Sequence, residues 1–286
     1  MTAFGGTNLR KAQRCFGEPN PRSSAPAIEL RHVEIFPARH VGHFRERLAI
    51  RLGGVDADRR GGAERPRLGR IVDRGIGGAG WDLIDNDPVL LALACDQHRD
   101  KGMTLNAVQL DLSRHFEAAL ASRPNLITIS ALLDLVSQEW LQQFLHGIAA
   151  RALPVYAALT YDGRCDLSPT DQLDGAVVSA VNAHQRTDKG FGPALGPSAA
   201  KAAIAGFETL GYSVITGESD WIMQPDDREI QDEILAGWAN AAREMGTLPA
   251  SAIADWLTRR KAMISEGRSS MRVGHVDFFA FPSSMR

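Results

Sequence analysis

The chain has 286 residues, 44% of them hydrophobic and 23% charged, with a formal net charge of −2. That composition suits a globular protein and lacks the basic excess of a nucleic-acid or anionic-membrane binder. Three cysteines, Cys15, Cys95 and Cys165, lie far apart without metal-ligand spacing, and their odd number argues against a disulfide framework. A reduced, cytoplasmic setting is the expectation, with no metal. No apolar run approaches the roughly 20 residues that span a bilayer. The start lacks a charged segment followed by an apolar one, so no secretory signal is expected.

The average charge hides a split. Residues 1–80 carry a net charge of +7 and 13 of the 27 glycines, whereas residues 81–286 carry −9. Fourteen arginines supply nearly all the positive charge of the first part. Before Arg70 the only apolar pieces are Ala27–Ile35 and His43–Leu52. Residues 1–80 are therefore expected to be a poorly structured Arg/Gly-rich segment, irregular or disordered over the first 70–80 positions. A nucleic-acid-binding arm is the functional alternative. The scatter of its arginines among Gly and Pro, off any helix face, weakens that reading.

From Trp81 the text changes. Trp81–Asp85 reads as a short buried strand, and Pro88 opens a helix over Val89–Arg99 where its missing N–H costs nothing. Leu105–Leu112 reads as a strand and Leu126–Leu133 as a buried central one. Ser137 looks like the cap of a helix running to about Arg151. Leu153–Thr160 is the next buried strand. Residues 161–196 read as a long polar, Gly/Pro-marked segment holding one helical piece, Asp174–Ala183. Ser198–Leu210 is helical and closes on Gly211. Tyr212–Ile215, extending towards Ile222, is a strand. Asp227–Met245 and Ala250–Glu266 are helices, and Ser270–Phe281 is the last strand.

Strands alternating with helices predict an α/β fold, a Rossmann-like doubly wound and mostly parallel sheet ending in an antiparallel C-terminal strand pair. Ligands of such sheets bind outside the carboxyl ends of the strands. The first strand delivers Asp85-Asn86-Asp87. Asp87 suits a helix cap, while Asp85 could accept both hydroxyls of a ribose. The second delivers Asp111 and Leu112, an acceptor for an exocyclic amine beside an apolar wall; a cap is the equal alternative for Asp111. The third delivers Ser130 and Asp134, and the fourth Thr160, Tyr161 and Asp162.

Taken in order, these pieces resemble the class I S-adenosylmethionine-dependent methyltransferases over residues 81–286. "WDLIDNDPVLL" is similar to that family's second strand, and the resemblance implies that Asp85, with Asn86 beside it, binds the cofactor's ribose. "AVQLDLS" is similar to the third strand, implying that Asp111 and Leu112 meet the adenine. "LITISALLDLVS" is similar to the fourth, which implies that Ser130 lines the cofactor site. "GYSVITGESDWIM" and "MRVGHVDFFAFP" are similar to the antiparallel pair that ends the family's sheet. The implied chemistry is methyl transfer from S-adenosyl-L-methionine to a nucleophile, which mainly requires alignment and exclusion of water. The family's first strand and glycine loop are not recognisable here. "IVDRGIGGAG" imitates the loop, but Gly80 abuts Trp81, and a parallel crossover needs a dozen or more residues. The run is read as a lead-in.

"NAHQRTDKGFGPALGP", Asn182–Pro197, lies in the insertion 161–197 and gathers Asn182, His184, Gln185, Arg186, Asp188 and Lys189. Polar groups clustered in a long loop mark a candidate acceptor site, with a Gly/Pro-rich surface loop as the plain alternative. His184 is a candidate base, and Tyr161 and Asp162 could share its pocket. Trp221, Trp238 and Trp256 read as packing aromatics. The resulting expectation is methyl transfer to a small-molecule acceptor, with no nucleic acid and no membrane as partner. A non-catalytic remnant of the fold is the alternative. A nicotinamide-dependent oxidoreductase ranks last, because Gly75 and Asp85 stand only ten residues apart.

Overall fold

The computed structural model describes residues 31–35, 80–98 and 104–285. Its packing divides into two compact units, one within Ser24–Ile127 and one containing Thr128–Arg286. The described strands and helices form an α/β fold, mostly parallel at first and antiparallel in the C-terminal strands.

In the first unit β1 (Arg31–Ile35), β2 (Gly80–Asp85) and β3 (Thr104–Gln109) run parallel in the order β3-β2-β1. Helix α1 (Pro88–His98) makes the crossover from β2 to β3 that a parallel pair requires. Strand β2 forms because Trp81, Leu83 and Ile84 are buried, and a run hidden on both faces is apolar throughout. Its one central polar residue, Asp82, accepts from Asn106 Nδ2 at 3.0 Å across the β2–β3 register. After β3 come the single-turn helix α2 (Leu112–His115) and a 3-10 turn at Phe116–Leu120. The sequence RHVEI, inside one of the two weak apolar pieces, forms β1 in register with β2 from Arg31↔Gly80 to Ile35↔Ile84. Gly80 opens β2, while His43–Leu52 and Gly75–Ala79 lie outside the described residues.

The second unit starts within β4 (Leu126–Ser130), followed by a 3-10 turn at Leu133–Leu135 and α3 (Gln138–Ala150). Then come β5 (Val155–Ser168), α4 (Asp174–His184), α5 (Ala199–Thr209), β6 (Tyr212–Glu218) and β7 (Trp221–Met223). Helices α6 (Arg228–Met245) and α7 (Ala250–Ser265) precede the last strand, β8 (Ser270–Pro282). The strand order is β4-β5-β8-β6, with β7 also on β8. Both β5 and β6 pair antiparallel with β8, so the expected terminal pair is present, interrupted by two helices. The core joins α3, α5, β6 and β8 through Phe144, Phe207, Tyr212 and Phe278. A Cβ on Gly206 would lie 2.4 Å from Leu145 Cδ1, so a larger residue there would have to turn the Leu145 side chain aside.

The largest departure from expectation is β5, which runs eight residues past Thr160. Residues 161–168, read as loop from their polarity, pair with β8 from Tyr161↔His275 to Ser168↔Ser270. Two register shifts, between Ala157 and Thr160 and between Tyr161 and Cys165, let the strand bend. Leu159 sits at the first of them with φ 52°. Between β3 and β4 the expected strand end at Leu112 is instead α2, because Asp111 caps it.

Candidate functional site

In the first unit the carboxyl ends of β2 and β3 place two acids side by side. Asp87 Oδ1 accepts from Val89 N at 2.8 Å and Leu90 N at 3.4 Å, which makes it the cap of α1. Asp85 is only 1% exposed, and its Oδ1 accepts from Asp87 N at 2.8 Å. Asn86 is exposed, and its carbonyl accepts from Gln109 Nε2 at 3.3 Å. Asp111 Oδ1 accepts from Ser113 N at 3.0 Å and from Ser113 Oγ at 2.6 Å. The Ser113 hydroxyl holds this carboxyl below its ordinary value, against the opposing effect of burial. The Asp111 side chain is still 42% exposed, and Leu112 beneath it is buried. Asp111 thus offers a half-exposed carboxylate whose Oδ2 faces Arg114 Nε at 3.6 Å, while Asp85 offers a covered one.

In the second unit β4 ends at Ser130, and Ala131, with φ 51°, turns the chain while donating to Ala158 O at 2.9 Å. The chain then buries Leu132–Val136, and Ser137 caps α3 by accepting from Trp140 N at 3.2 Å. The polar segment after α4 is laid over this junction. Leu195 N donates to Val136 O at 2.8 Å, Ala194 bridges to Ser137, and Phe191 meets Trp140 edge-on at 5.5 Å. Asp188 Oδ1 accepts from Gly190 N at 2.7 Å and Gly192 N at 3.0 Å, folding a turn that needs positive φ at both glycines. The segment is therefore an ordered cover on the β4–α3 junction.

The sequence-predicted residues of this segment separate into three groups. Tyr161 OH donates to Asn182 Oδ1 at 2.7 Å, and Asn182 Nδ2 donates to Gly163 O at 3.1 Å, bolting β5 to α4. Burial pushes the Tyr161 phenol far above its ordinary range and the neighbouring Cys165 thiol up to about 11. Asp162 is clasped by Arg164, whose backbone N donates at 2.9 Å and whose Nε donates at 2.6 Å. Arg164 and Arg272 share Glu218 and Asp220 in the same network. Tyr161 is thus committed to Asn182, and Asp162 to Arg164. Arg186 Nη1 donates to Asn182 O at 2.9 Å, and Gln185 ends α4 through its backbone.

The third group is compact. His184 Nε2 lies 2.8 Å from Glu244 Oε2, and His184 Nδ1 lies 3.4 Å from Lys189 Nζ. Lys189 Nζ also donates to Thr187 Oγ1 at 3.0 Å. An ammonium can only donate, so Nδ1 accepts and Nε2–H donates to Glu244. Lys189 is 9% exposed, and burial lowers its pKa while the charges of Glu244 and Asp188 oppose that shift. Sequence reasoning reached His184 and Lys189 by their proximity in the chain. It missed Glu244, which α6 delivers from 60 residues away, a distance that leaves no local signal. Among the described residues no group of three His, Cys, Asp or Glu could hold a metal ion. No described helix is long and apolar enough to cross a membrane.

Comparison with known proteins gives the following. No protein-family model matches the chain, and no curated protein matches it. Solved structures similar to it include a cyclopropane-fatty-acyl-phospholipid synthase-like protein from Lactobacillus casei, at 12% identity over 88% of this chain and 85% of that one, TM-score 0.47. A mycolic acid cyclopropane synthase complexed with SAH and CTAB is 7% identical over 88% of this chain and 78% of that one, TM-score 0.42. A geranyl diphosphate methyltransferase in complex with GPP and sinefungin is 9% identical over 90% and 73%, TM-score 0.38. Likeness at this level is too slight to assign an activity, and the functional reading rests on the side chains described above.

Proposed function

We propose that this protein transfers a methyl group from S-adenosyl-L-methionine to a small-molecule acceptor. The observation that carries the reading is the pair of acids at the carboxyl ends of the neighbouring strands β2 and β3: Asp85, and Asp111 two residues beyond Gln109, the register partner of Asp85. That edge is where parallel α/β strands present ligand-binding groups. The stretches that resemble the methyltransferase pattern fall on the elements expected of them: Trp81–Asp85 on a strand, Asp111 just past the next, Leu126–Ser130 on a third, and the C-terminal pair antiparallel.

The residues fit the cofactor unequally. Asp111, with a half-exposed carboxylate above the buried Leu112, suits an exocyclic amine and the face of a purine. Asp85 suits a ribose but reaches it only when its Asp87 N–H contact is shared. Asn86 adds an exposed amide; Ser130, at the tip of β4 in the second unit, is proposed for the cofactor from the sequence resemblance alone. When bound, S-adenosylmethionine supplies a methyl group on a sulfonium, a leaving group that needs no acid. The protein's own contribution is orientation, exclusion of water, and a base where the acceptor's nucleophile carries a proton. Within the second unit, the ordered cover after α4 carries Gln185 and Arg186, and Asn182 lies on α4 just before it; these are the residues proposed for the acceptor. Asp188 shapes the cover, Tyr161 and Asp162 form its support, and His184 with Lys189 supplies its titratable groups.

Isothermal titration of the full chain with S-adenosylmethionine tests the reading. Binding that weakens about 10- to 100-fold in Asp85→Ala, the loss expected for a hydrogen bond to a charged group, is the expected result. A folded protein that binds no S-adenosylmethionine would instead be a non-catalytic member of this architecture.

A further inference from the structure

The cover after α4 is fastened at two places. Its far part meets the β4–α3 junction, where Leu195 N donates to Val136 O and Phe191 packs on Trp140. Its near part is fastened to the end of α4 by Lys189. That residue is 9% exposed, and its Nζ meets His184 Nδ1 at 3.4 Å and Thr187 Oγ1 at 3.0 Å. The Thr187 hydroxyl itself donates to His184 O at 2.8 Å. A lysine is seldom buried this far unless its charge is satisfied, so the covered position of Lys189 depends on these two acceptors. Beyond it the chain turns at Gly190, where φ is 95° and an added Cβ would meet nothing within 4 Å, so the near part has room to move.

The imidazole can accept from Lys189 in one protonation state alone. Its Nδ1 lone pair is available because the proton sits on Nε2 and is donated to Glu244 Oε2 at 2.8 Å. A second proton on the ring must go to Nδ1, where it faces the ammonium as donor against donor and charge against like charge. Glu244 pairs with the imidazolium from α6, so the ring keeps its place while Lys189 loses an acceptor. Histidine is the side chain whose ordinary titration falls between about pH 5 and 8, a range in which ordinary carboxylates and guanidiniums keep their charge. The groups that surround the ring are of those kinds. Asp188 follows on the cover and accepts from the Gly190 and Gly192 amides, and Arg186 donates to Asn182 O. On α6, Arg243 beside Glu244 is paired with Asn240. From β5 the facing group is the Tyr161 phenol, bound to Asn182 and pushed far above its ordinary range by burial. Helix α7 meets α4 at its other end, through Arg260 and Asp174.

We propose that His184 is a proton-operated latch on the cover: the neutral imidazole holds Lys189 against the end of α4, and protonation of the ring releases Lys189 and loosens residues 185–192. The released form binds one proton more than the latched form, so acid favours release and rising pH favours closure. The far fastening consists of backbone and aromatic contacts with nothing to titrate, so the cover opens at its near end and stays attached at the other. The latch lies within the second unit and is independent of the methyl-transfer reading.

Hydrogen exchange of the full-length chain, followed by mass spectrometry from about pH 5.5 to 8 and corrected for the intrinsic pH dependence of exchange, tests this. Peptides covering 185–192 contain the Thr187, Gly190 and Gly192 amides, which donate to His184 O and Asp188 Oδ1. Their protection is expected to fall about tenfold for each pH unit below the midpoint, the slope of a one-proton linkage, while peptides from α7 stay level. In His184→Gln, whose amide oxygen accepts from Lys189 at every pH, this dependence should vanish. It should vanish equally in Lys189→Met, which removes the second charge. In Glu244→Gln the fall should move to lower pH, because the imidazolium has lost its carboxylate. Nitrogen-resolved NMR should show the His184 ring taking its second proton at the pH where protection is lost. Level protection across the range overturns the latch, as does a fall that persists in His184→Gln or in Lys189→Met. A ring that becomes doubly protonated while 185–192 stays protected overturns it too. The two variants remove opposite sides of one contact, so whichever of them folds decides the question.

Discussion

Asp277 is the residue on which the second unit's bend depends. Its Oδ2 accepts from Tyr156 OH at 2.7 Å, and its Oδ1 accepts from Leu159 N at 2.7 Å and Ser219 Oγ at 2.5 Å. The three donors are all at or beside the register shift where Leu159 takes a positive φ, so the carboxylate holds a conformation that a β-carbon disfavours. Asp277→Asn replaces one acceptor oxygen by a donor facing another donor and is expected to cost about 1–3 kcal/mol, read as a lower urea midpoint with unchanged slope. Gly274 is similarly constrained: a Cβ there would lie 2.3 Å from Asp162 Oδ1 and 2.7 Å from Arg164 Cβ. Gly274→Ala must push the Asp162–Arg164 clasp off β8 and is expected to destabilise by about 1–3 kcal/mol. An unchanged denaturation curve would show that the clasp can shift freely. Sequence inspection singled out Asp162 for chemistry. Its partner Arg164 stands two residues away, but the glycine that makes room for both is on another strand, more than a hundred positions later.

At the scale of elements, α4 and α7 are joined by an ion-pair cluster more buried than any the sequence suggested. Arg260 is 0% exposed; its Nε donates to Asp174 Oδ1 at 2.9 Å and its Nη1 to Pro169 O at 2.7 Å. Trp256 Nε1 donates to the same Asp174 oxygen at 2.9 Å. Asp174→Ala strands a buried guanidinium and is expected to cost about 3–5 kcal/mol, whereas an apolar replacement of both partners should cost much less. Equal losses in the single and double variants, measured by chemical denaturation, would contradict this account. The adjacent Asp171 is held below its ordinary value by the side-chain hydrogen bonds of Arg259, with Nε to Oδ2 at 2.6 Å. Its folded-state pKa is therefore lower than its unfolded one. The stability it contributes is complete above about pH 4, the ordinary range of an aspartate, and is lost as pH falls through the lowered native value. Asp171→Asn should remove that part of the acid slope, which a pH series of melting curves will show. The helices themselves were legible from capping and period, with Ser137 before α3 and Gly211 after α5. Their partnerships were not, because Asp171 and Arg259 meet across 88 positions.

For the whole molecule, the proposed cofactor makes a thermodynamic prediction that needs no knowledge of the acceptor. A ligand that binds only the folded chain stabilises it by about 2.7 kcal/mol at a hundred times its dissociation constant. S-adenosylmethionine at millimolar concentration should therefore raise the melting temperature by several degrees, and Asp85→Ala should abolish most of that rise. Nicotinamide dinucleotides should leave it unchanged. A rise with the nicotinamide cofactor alone would reverse the ranking of the two readings.

The sequence by itself determined the kind of element at most positions from Trp81 onward, because burial of a strand on both faces demands a continuous apolar run and a helix needs its caps. Trp81–Asp85 and the terminal helices could be read on those grounds, whereas the strand expected over Leu126–Leu133 ends at Ser130, where Ala131 turns the chain. It also placed acids at the ends of β2 and β3, since a strand end and the helix cap that follows are adjacent in the chain. Only the tertiary structure decided that residues 161–168 extend β5, because their polarity is compatible with a strand only once β8 supplies the ladder. It alone showed Tyr161 committed to Asn182 and Asp162 to Arg164. It alone brought Glu244 to the imidazole. Hydrophobic period and capping are local and leave a local trace, whereas a hydrogen bond between side chains 60 positions apart depends on how helices pack and leaves none.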